Sequence, residues 1–324
     1  MITLEELQNL YETQLKERLS ELESLRKSIV ANIVYAALEF VPASTILVIL
    51  YAQKIITDVY IIAGLIGVLI GGLVFVINAV TRYNKYRSRF KNEVVTEIVR
   101  AIDPEWRYEY NQSIKLEEYY QSNLFSQNVD RCKGDDLIFG QMEKTDFRCS
   151  EFHTEYMTVT YTKNGGRQEH WHTIFKGLFF HADFNKHIQG ETYIKPDYAE
   201  KLLGKWGQKL QFSFKGDLVK LENPEFEKKF VVHATDQIEA RYILTPTIME
   251  ALVNIQNQYK RPMHLSFVGS RIFCAVSFTE NLFEPNIFRS GVNFKDIELI
   301  YNLFMLNATI IKELNLNTRI WTKE

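Results

Sequence analysis

Two apolar runs close to the N-terminus constrain this chain more than anything else in it. Ile29 to Ala52 is 24 residues long with one charge, Glu39, and Val59 to Val80 is 22 residues long with none. As helices they extend roughly 33–36 Å at about 1.5 Å per residue, enough for a hydrocarbon core of about 30 Å. Only Gln53 to Asp58 lies between them, so the two segments run antiparallel. Soluble helices rarely stay apolar on every face for this length. The spacing therefore predicts a two-helix transmembrane hairpin over residues 29–80, with spans at 29–52 and 59–80. It is not a cleaved signal peptide: six acids (Glu5, Glu6, Glu12, Glu17, Glu21, Glu23) precede the first span.

Three features inside the spans carry alternatives. Glu39 lies near the middle of the first, where an ionised carboxylate costs about 2.5–3.5 kcal/mol. Either it is an ion or proton contact in an oligomeric pore, or it sits in a helix break beside Pro42, whose missing donor disrupts the backbone ladder, or it lies nearer the interface because the true span starts later. In the second span Gly64, Gly67 and Gly71 fall on one helical face, and Gly67 to Gly71 is a GxxxG pattern that permits close helix approach.

The flanks set orientation. Lys16, Arg18, Arg26 and Lys27 precede the first span, Lys54 alone lies in the link, and Arg82, Lys85, Arg87, Arg89 and Lys91 follow the second. This asymmetry predicts that both termini are cytoplasmic. Residues 1–28 form an amphipathic helix with Leu4, Leu7, Leu15, Leu22 and Leu25 on one side, suited to pack on the chain behind it or to self-associate. Residues 81–103 continue as a basic juxtamembrane helix with an apolar stripe of Tyr83, Tyr86, Phe90, Val94, Ile98 and Ile102, ending at Asp103-Pro104. Its five cations are candidate contacts for anionic headgroups. Cys132, Cys149 and Cys274 are odd in number and lack a CxxC pair, which suits a reducing compartment.

Residues 104–324 read as a cytoplasmic α+β domain. Short β-like runs at 136–141, 147–152, 156–162, 171–183, 218–221, 230–233, 265–268 and 271–278 are joined by turn signals, the strongest at Asn164-Gly165-Gly166. Helical patterns cover 196–203, 236–242, 245–259 and 294–314. Hairpin-linked strands imply a mainly antiparallel sheet. With 38 basic and 40 acidic residues and no basic stripe, nucleic-acid binding has no support.

The runs DRCKGDD (Asp130 to Asp136), HTIFKGLFFHADFNKH (His172 to His187), the stretch from Leu218 to Pro246, and LNLNTRIW (Leu314 to Trp321) resemble the bacterial domain-of-unknown-function family three-one-three-seven. Cys132 stands where an aromatic is expected and Asp135 where Glu is expected. The resemblance implies a membrane hairpin with a cytoplasmic domain in a bacterial inner membrane. It implies no activity, no cofactor and no catalytic residue.

Candidate chemistry is sparse. His170 and His172 point to one face of a strand and, with His153 or His187, form a possible zinc set or an ordinary group of hydrogen-bonded histidines. Asp130, Asp135 and Asp136 are possible oxygen ligands for a divalent ion, or a polar turn around Gly134. Cys149 has no evident activating base. Asp183, Asn185, Lys186 and His187 form a polar group after an apolar strand, suited to a catalytic site or to a strand end that caps its neighbour. There is no P-loop, nucleophile elbow or dinucleotide fingerprint. The sequence thus predicts a membrane-tethered interaction module that meets a protein, a peptide or membrane lipids, with a homo-oligomer possible. An oligomeric channel and a membrane-bound hydrolase are its alternatives.

Overall fold

The computed structural model describes residues 1–55, 57–162, 166–184, 187–197 and 216–314. It divides into two compact units, one made of Met1–Ala101 with Phe283–Leu299 and the other of Ile102–Leu282 with Ile300–Glu324.

The first unit is built on two continuous rods. One comprises α1 (Leu4–Leu10), a π-helical turn (Tyr11–Leu15) and α2 (Lys16–Ala52); the other comprises α3 (Asp58–Phe90), a second π turn (Lys91–Val95) and α4 (Thr96–Ile102). Thr3 starts the first rod with a reciprocal cap: its hydroxyl accepts from Glu6 N–H at 3.2 Å while Glu6 accepts from Thr3 N–H at 2.7 Å. The 49 residues of that rod reach about 74 Å at about 1.5 Å per residue. Span and amphipathic segment are therefore one helix. Both rods are long and apolar enough to cross a membrane, and within their apolar windows 0% and 6% of residues are buried.

Outside those windows the rods bury side chains against each other. Leu7, Leu15, Leu19 and Leu22 are buried, as are Tyr86, Phe90, Val94 and Ile98. Arg18 stitches the rods together, donating to the Glu93 carbonyl at 2.8 Å and lying 3.6 Å from Glu97. Of the leucine stripe, Leu7, Leu15 and Leu22 are thus buried within the chain, while Leu4 stays 45% exposed.

Three expectations for the spans change. First, α2 runs unbroken through Pro42, so Glu39 does not sit in a helix break. Ser44 and Thr45 hydroxyls donate to the carbonyls of Phe40 and Val41 nearby. Second, Gly67 is exposed, with nothing within 4 Å of where a Cβ would stand, so it does not pack the hairpin. The close approaches are at Gly64 and Gly71, two helical turns apart, where a Cβ would fall 2.7 Å from Leu47 and 1.9 Å from the Glu39 carboxylate. Third, Glu39 thereby rests against Gly71 of its own hairpin, with Oε2 buried and without a hydrogen-bond partner.

The segment Phe283–Leu299 lies along these rods. Glu284 pairs with Arg87 at 2.6 Å and Lys91 at 2.9 Å, and Ile287 O accepts from Arg26 at 2.7 Å. Lys91 is fully buried, Arg87 is engaged, and Arg89 is shared between Glu93 and Glu21. Of the five juxtamembrane cations, only Arg82 and Lys85 are exposed and without a partner among the described residues. The lipid-contact expectation fails for Lys91, because burial and an ion pair already satisfy its charge.

The second unit is α+β. Nine antiparallel strands form one sheet in the order β1-β2-β3-β4-β9-β8-β5-β7-β6. In chain order they are β1 (Arg107–Glu109), β2 (Arg131–Met142), β3 (Thr145–Tyr161), β4 (Arg167–Asp183), β5 (Glu191–Pro196), β6 (Asp217–Val219), β7 (Phe230–Ala234), β8 (Met263–Val268) and β9 (Arg271–Ser277). Among the described residues five helices accompany it: α5 (Leu116–Gln121), α6 (Pro224–Glu227), α7 (Gln237–Ile243), α8 (Pro246–Tyr259) and α9 (Phe294–Glu313). As the sequence predicts, Thr245 caps α8, accepting from Ile248 N–H at 3.4 Å, with Pro246 in the first turn.

The two runs read as separate strands at 147–152 and 156–162 are a single 17-residue strand, β3. The polar run His153, Thr154 and Glu155 explains the apparent break, and the register shift there leaves Ile174 of β4, not a residue of β3, as the extra residue. Residues 131–136 belong to β2 rather than to a polar turn, and Gly134 packs beneath Ser113 and Phe152. Pro196 closes β5; the rest of the expected helix at 196–203, apart from Asp197, lies outside the described residues, as do Asn164 and Gly165 and the run after Leu314. On one sheet face α5 lays Tyr119 against Phe125 and Phe152, with ring centroids 4.9 and 5.4 Å apart. On the other, Cys149 is buried, as is Asn307 of α9.

Candidate functional site

Strand register assembles a cleft that no local motif announces. Paired residues on neighbouring strands share a face. Arg107 pairs with Phe139, Phe139 with Arg148, Arg148 with His181, and His181 with Phe273. Two residues along each strand the same face recurs, and there Gln141 pairs with Asp146 and Asp183 with Arg271. These two rows floor a cleft of about 560 Å³, whose wall includes Glu105 and Ser270. It is the polar continuation of the aromatic face formed by Phe152, Phe179 and Phe273.

Glu118 of α5 is brought to the inner row. Its carboxylate lies 3.3 Å from His181 Nε2, 3.7 Å from Arg148 and 3.8 Å from Arg271. The His181 approach is off-line for a good hydrogen bond but close enough to stabilise the anion. His181 chiefly, with the Lys115 N–H and Arg148 adding to it, holds the Glu118 carboxyl down at about 2 against the opposing cost of burial. Burial pushes His181 below the usual histidine range, and Glu118 only partly offsets this, so the ring is neutral at pH 7.

The sign of the pH effect follows. A carboxyl with a depressed folded pKa contributes stability that is complete above about 4.5 and is lost as pH falls toward about 2. Glu118→Gln should flatten that acid limb. Denaturant midpoints measured between pH 6 and 3 in both proteins check it, and superimposable profiles would show that Glu118 contributes nothing.

The other sequence candidates distribute as follows. Asp183 lines the cleft. His187 is exposed and does not line it, while Asn185 and Lys186 lie outside the described residues. Of the four-residue polar group, Asp183 is the member placed at the cleft among the described residues. His170 and His172 hydrogen-bond Thr160 and Thr158 across the hairpin at 2.9 and 2.8 Å, and His153 bonds Thr173 at 3.2 Å. Each ring has its own threonine, and the zinc set does not assemble. Asp130 turns away to accept from Met157 N–H at 2.7 Å, so it does not join Asp135 and Asp136. Those two converge instead with Glu151, their ligand atoms within 4.8 Å. Tyr108 donates to Asp136 and Leu282 N–H to Glu151, so protein donors already occupy this group. Burial pushes the Cys149 thiol up to about 12 and raises Cys274 as well, leaving both inert as nucleophiles at neutral pH.

Sequence reasoning missed Arg107, Arg148, Arg271, Glu105, Asp146 and Glu118. They come from four separate segments, and only strand register together with the seating of α5 joins them.

Among known proteins, the family model described as Protein of unknown function (DUF3137) matches residues 173–316. This is the family that the sequence runs resemble, and the apolar hairpin lies outside the matched residues. No curated protein matches the chain. A crystal structure of the mycobacterial trehalose monomycolate transport factor A, TtfA, is similar at 9% identity and a TM-score of 0.32, covering 65% of this chain and 95% of that one. Similarity at this level carries no functional argument.

Proposed function

We propose that this chain, whose residues 173–316 match a family of unknown function, is a membrane-tethered interaction module. Its two apolar rods are anchored in the cytoplasmic membrane, with both termini and the sheet unit on the cytoplasmic side. The observation that carries this reading is the exposure of the rods. Long helices in a soluble core bury their apolar residues, whereas here 0% and 6% of the two apolar windows are buried. Ile33, Leu38, Val41, Ile62, Leu69 and Leu73 all face outward. At roughly 25 cal/mol per Å² of apolar surface, a bilayer is the solvent that such helices favour. The orientation rests on the excess of Lys and Arg outside the link.

The domain's task in this reading is recognition. The cleft presents charges without a nucleophile beside a base: His181 is buried and neutral, and no serine or cysteine with an activating partner faces it among the described residues. The channel alternative has less behind it, because Glu39 rests on Gly71 within one hairpin.

Carbonate washing of membranes tests the anchor, and a fluorescent reporter fused after residue 324 tests the side. The expected result is a protein retained in the washed membrane, with a bright reporter. Release by carbonate would overturn the anchor, and a dark reporter with an active periplasmic phosphatase fusion would reverse the orientation.

A further inference from the structure

The cleft holds charges of both signs that do not neutralise one another. Arg107, Glu105 and Asp146 are exposed within it, and none has an ion-pair or side-chain hydrogen-bond partner among the described residues. Arg148 has only the distant Glu118, at 3.7 Å. Their order follows from the pleat. The inner row carries the guanidiniums of Arg107 and Arg148 beside the neutral His181, with the Glu118 carboxylate brought against Arg148, and the outer row carries Asp146 with the neighbouring Asp183 and Arg271. Positions two apart on a strand are separated by about 6.5–7 Å. Arg107 and Arg148 are therefore offset from Asp146 by one pleat repeat along a single floor.

We propose that this cleft binds a zwitterionic phosphate–ammonium group of the phosphoethanolamine type, with the phosphate on Arg107 and Arg148 and the ammonium on Asp146. Guanidiniums present paired N–H donors that fit phosphate oxygens. Carboxylates accept the N–H bonds of a primary ammonium, which a quaternary trimethylammonium cannot supply. Phosphate and amine in such a group lie a few bonds apart, so one molecule reaches both rows. A simple anion would meet the outer carboxylates at a cost, and a simple cation would meet the guanidiniums. The chemistry of the site stands on the cleft alone. Only the choice of a membrane lipid as its source rests on the tethered reading.

The test uses the full chain in phosphatidylcholine nanodiscs, titrated by calorimetry with phosphoethanolamine, inorganic phosphate, ethanolamine and phosphocholine. Phosphoethanolamine should bind at least tenfold tighter than each of the others. Arg107→Gln and Asp146→Asn replace exposed, unpartnered side chains, and each should weaken it about tenfold, the effect of one lost charge-assisted hydrogen bond. Asp146→Asn should also erase the preference over phosphocholine. Equal binding of inorganic phosphate, wild-type affinity in both variants, or no heat with any probe would overturn the proposal. Nanodiscs containing phosphatidylethanolamine then separate the sources: competition with the soluble probe identifies a lipid headgroup, and its absence identifies a free phosphoethanolamine ligand. Loss of membrane anchoring would leave the soluble titration intact, so the two readings fail separately.

Discussion

Gly177→Ala should destabilise the sheet unit by about 2–6 kcal/mol, the sum of backbone strain and overpacking at one residue. Gly177 is in β4, with Phe152 opposite on β3 and Ser277 opposite on β9. Its φ is +150°, where an L side chain is strained. A Cβ there would fall 2.1 Å from the Val276 carbonyl oxygen and 2.9 Å from the Phe278 nitrogen. These are backbone atoms of the neighbouring strand, so no rotamer change relieves the contact. The Phe278 N–H meanwhile bonds the Lys176 carbonyl at 3.0 Å, which pins the strand where the methyl would enter. A loss of this size is a large part of the stability of an ordinary domain. The comparison variant is Gly67→Ala, at an exposed helical position with nothing within 4 Å, where alanine should be neutral or mildly favourable. Urea midpoints and amide exchange across β4 and β9 in both variants check the pair. Equal midpoints would mean that β4 can relax around Gly177.

What the sequence reveals is periodic or local. The apolar runs, the Thr245-Pro246 helix start and the strands at 171–183 and 271–278 are legible because each signal is contained in a few consecutive residues. The cleft is not, since Arg107, Arg148, His181 and Arg271 become neighbours only when four strands are set in register. The shift at Thr154 and Glu155 shows how fragile such reading is. One extra residue on β4, Ile174, reverses which of that strand's side chains face the core, while β3 runs on as a single strand opposite it. The leucine stripe of the first rod is visible in the sequence, but its partner is not. The same holds for the five basic residues after the second span. Their number predicts topology, yet the acid that engages two of them lies near the other end of the chain.

That acid, Glu284, carries the second large effect. Glu284→Ala should destabilise the helical unit by about 3–5 kcal/mol, the cost of leaving a buried charge without its partner. Lys91 has no exposed surface, and its ammonium lies 2.9 Å from the Glu284 carboxylate. Arg87 shares that carboxylate at 2.6 Å but keeps 32% of its side chain exposed, so water can take over its solvation. The penalty therefore concentrates on Lys91. Replacing both ends, Lys91→Met with Glu284→Met, removes the charge along with its partner and should recover most of the loss. The pH dependence distinguishes this ion pair from simple packing. Burial alone would raise the Glu284 pKa, but hydrogen bonds and charge from Arg87 and Lys91 outweigh it and hold the carboxyl below its ordinary value near 4.5. A depressed carboxyl contributes stability that is full above that value and is lost as pH falls through the lower folded pKa. Exchange protection at Ile98 and Val99 should thus decline in acid in the native chain, and the decline should be weaker in the double Met variant. If Glu284→Ala alone retained native protection at neutral pH, Lys91 would have to reach water by another route, and the segment Phe283–Leu299 would owe its position to packing rather than charge.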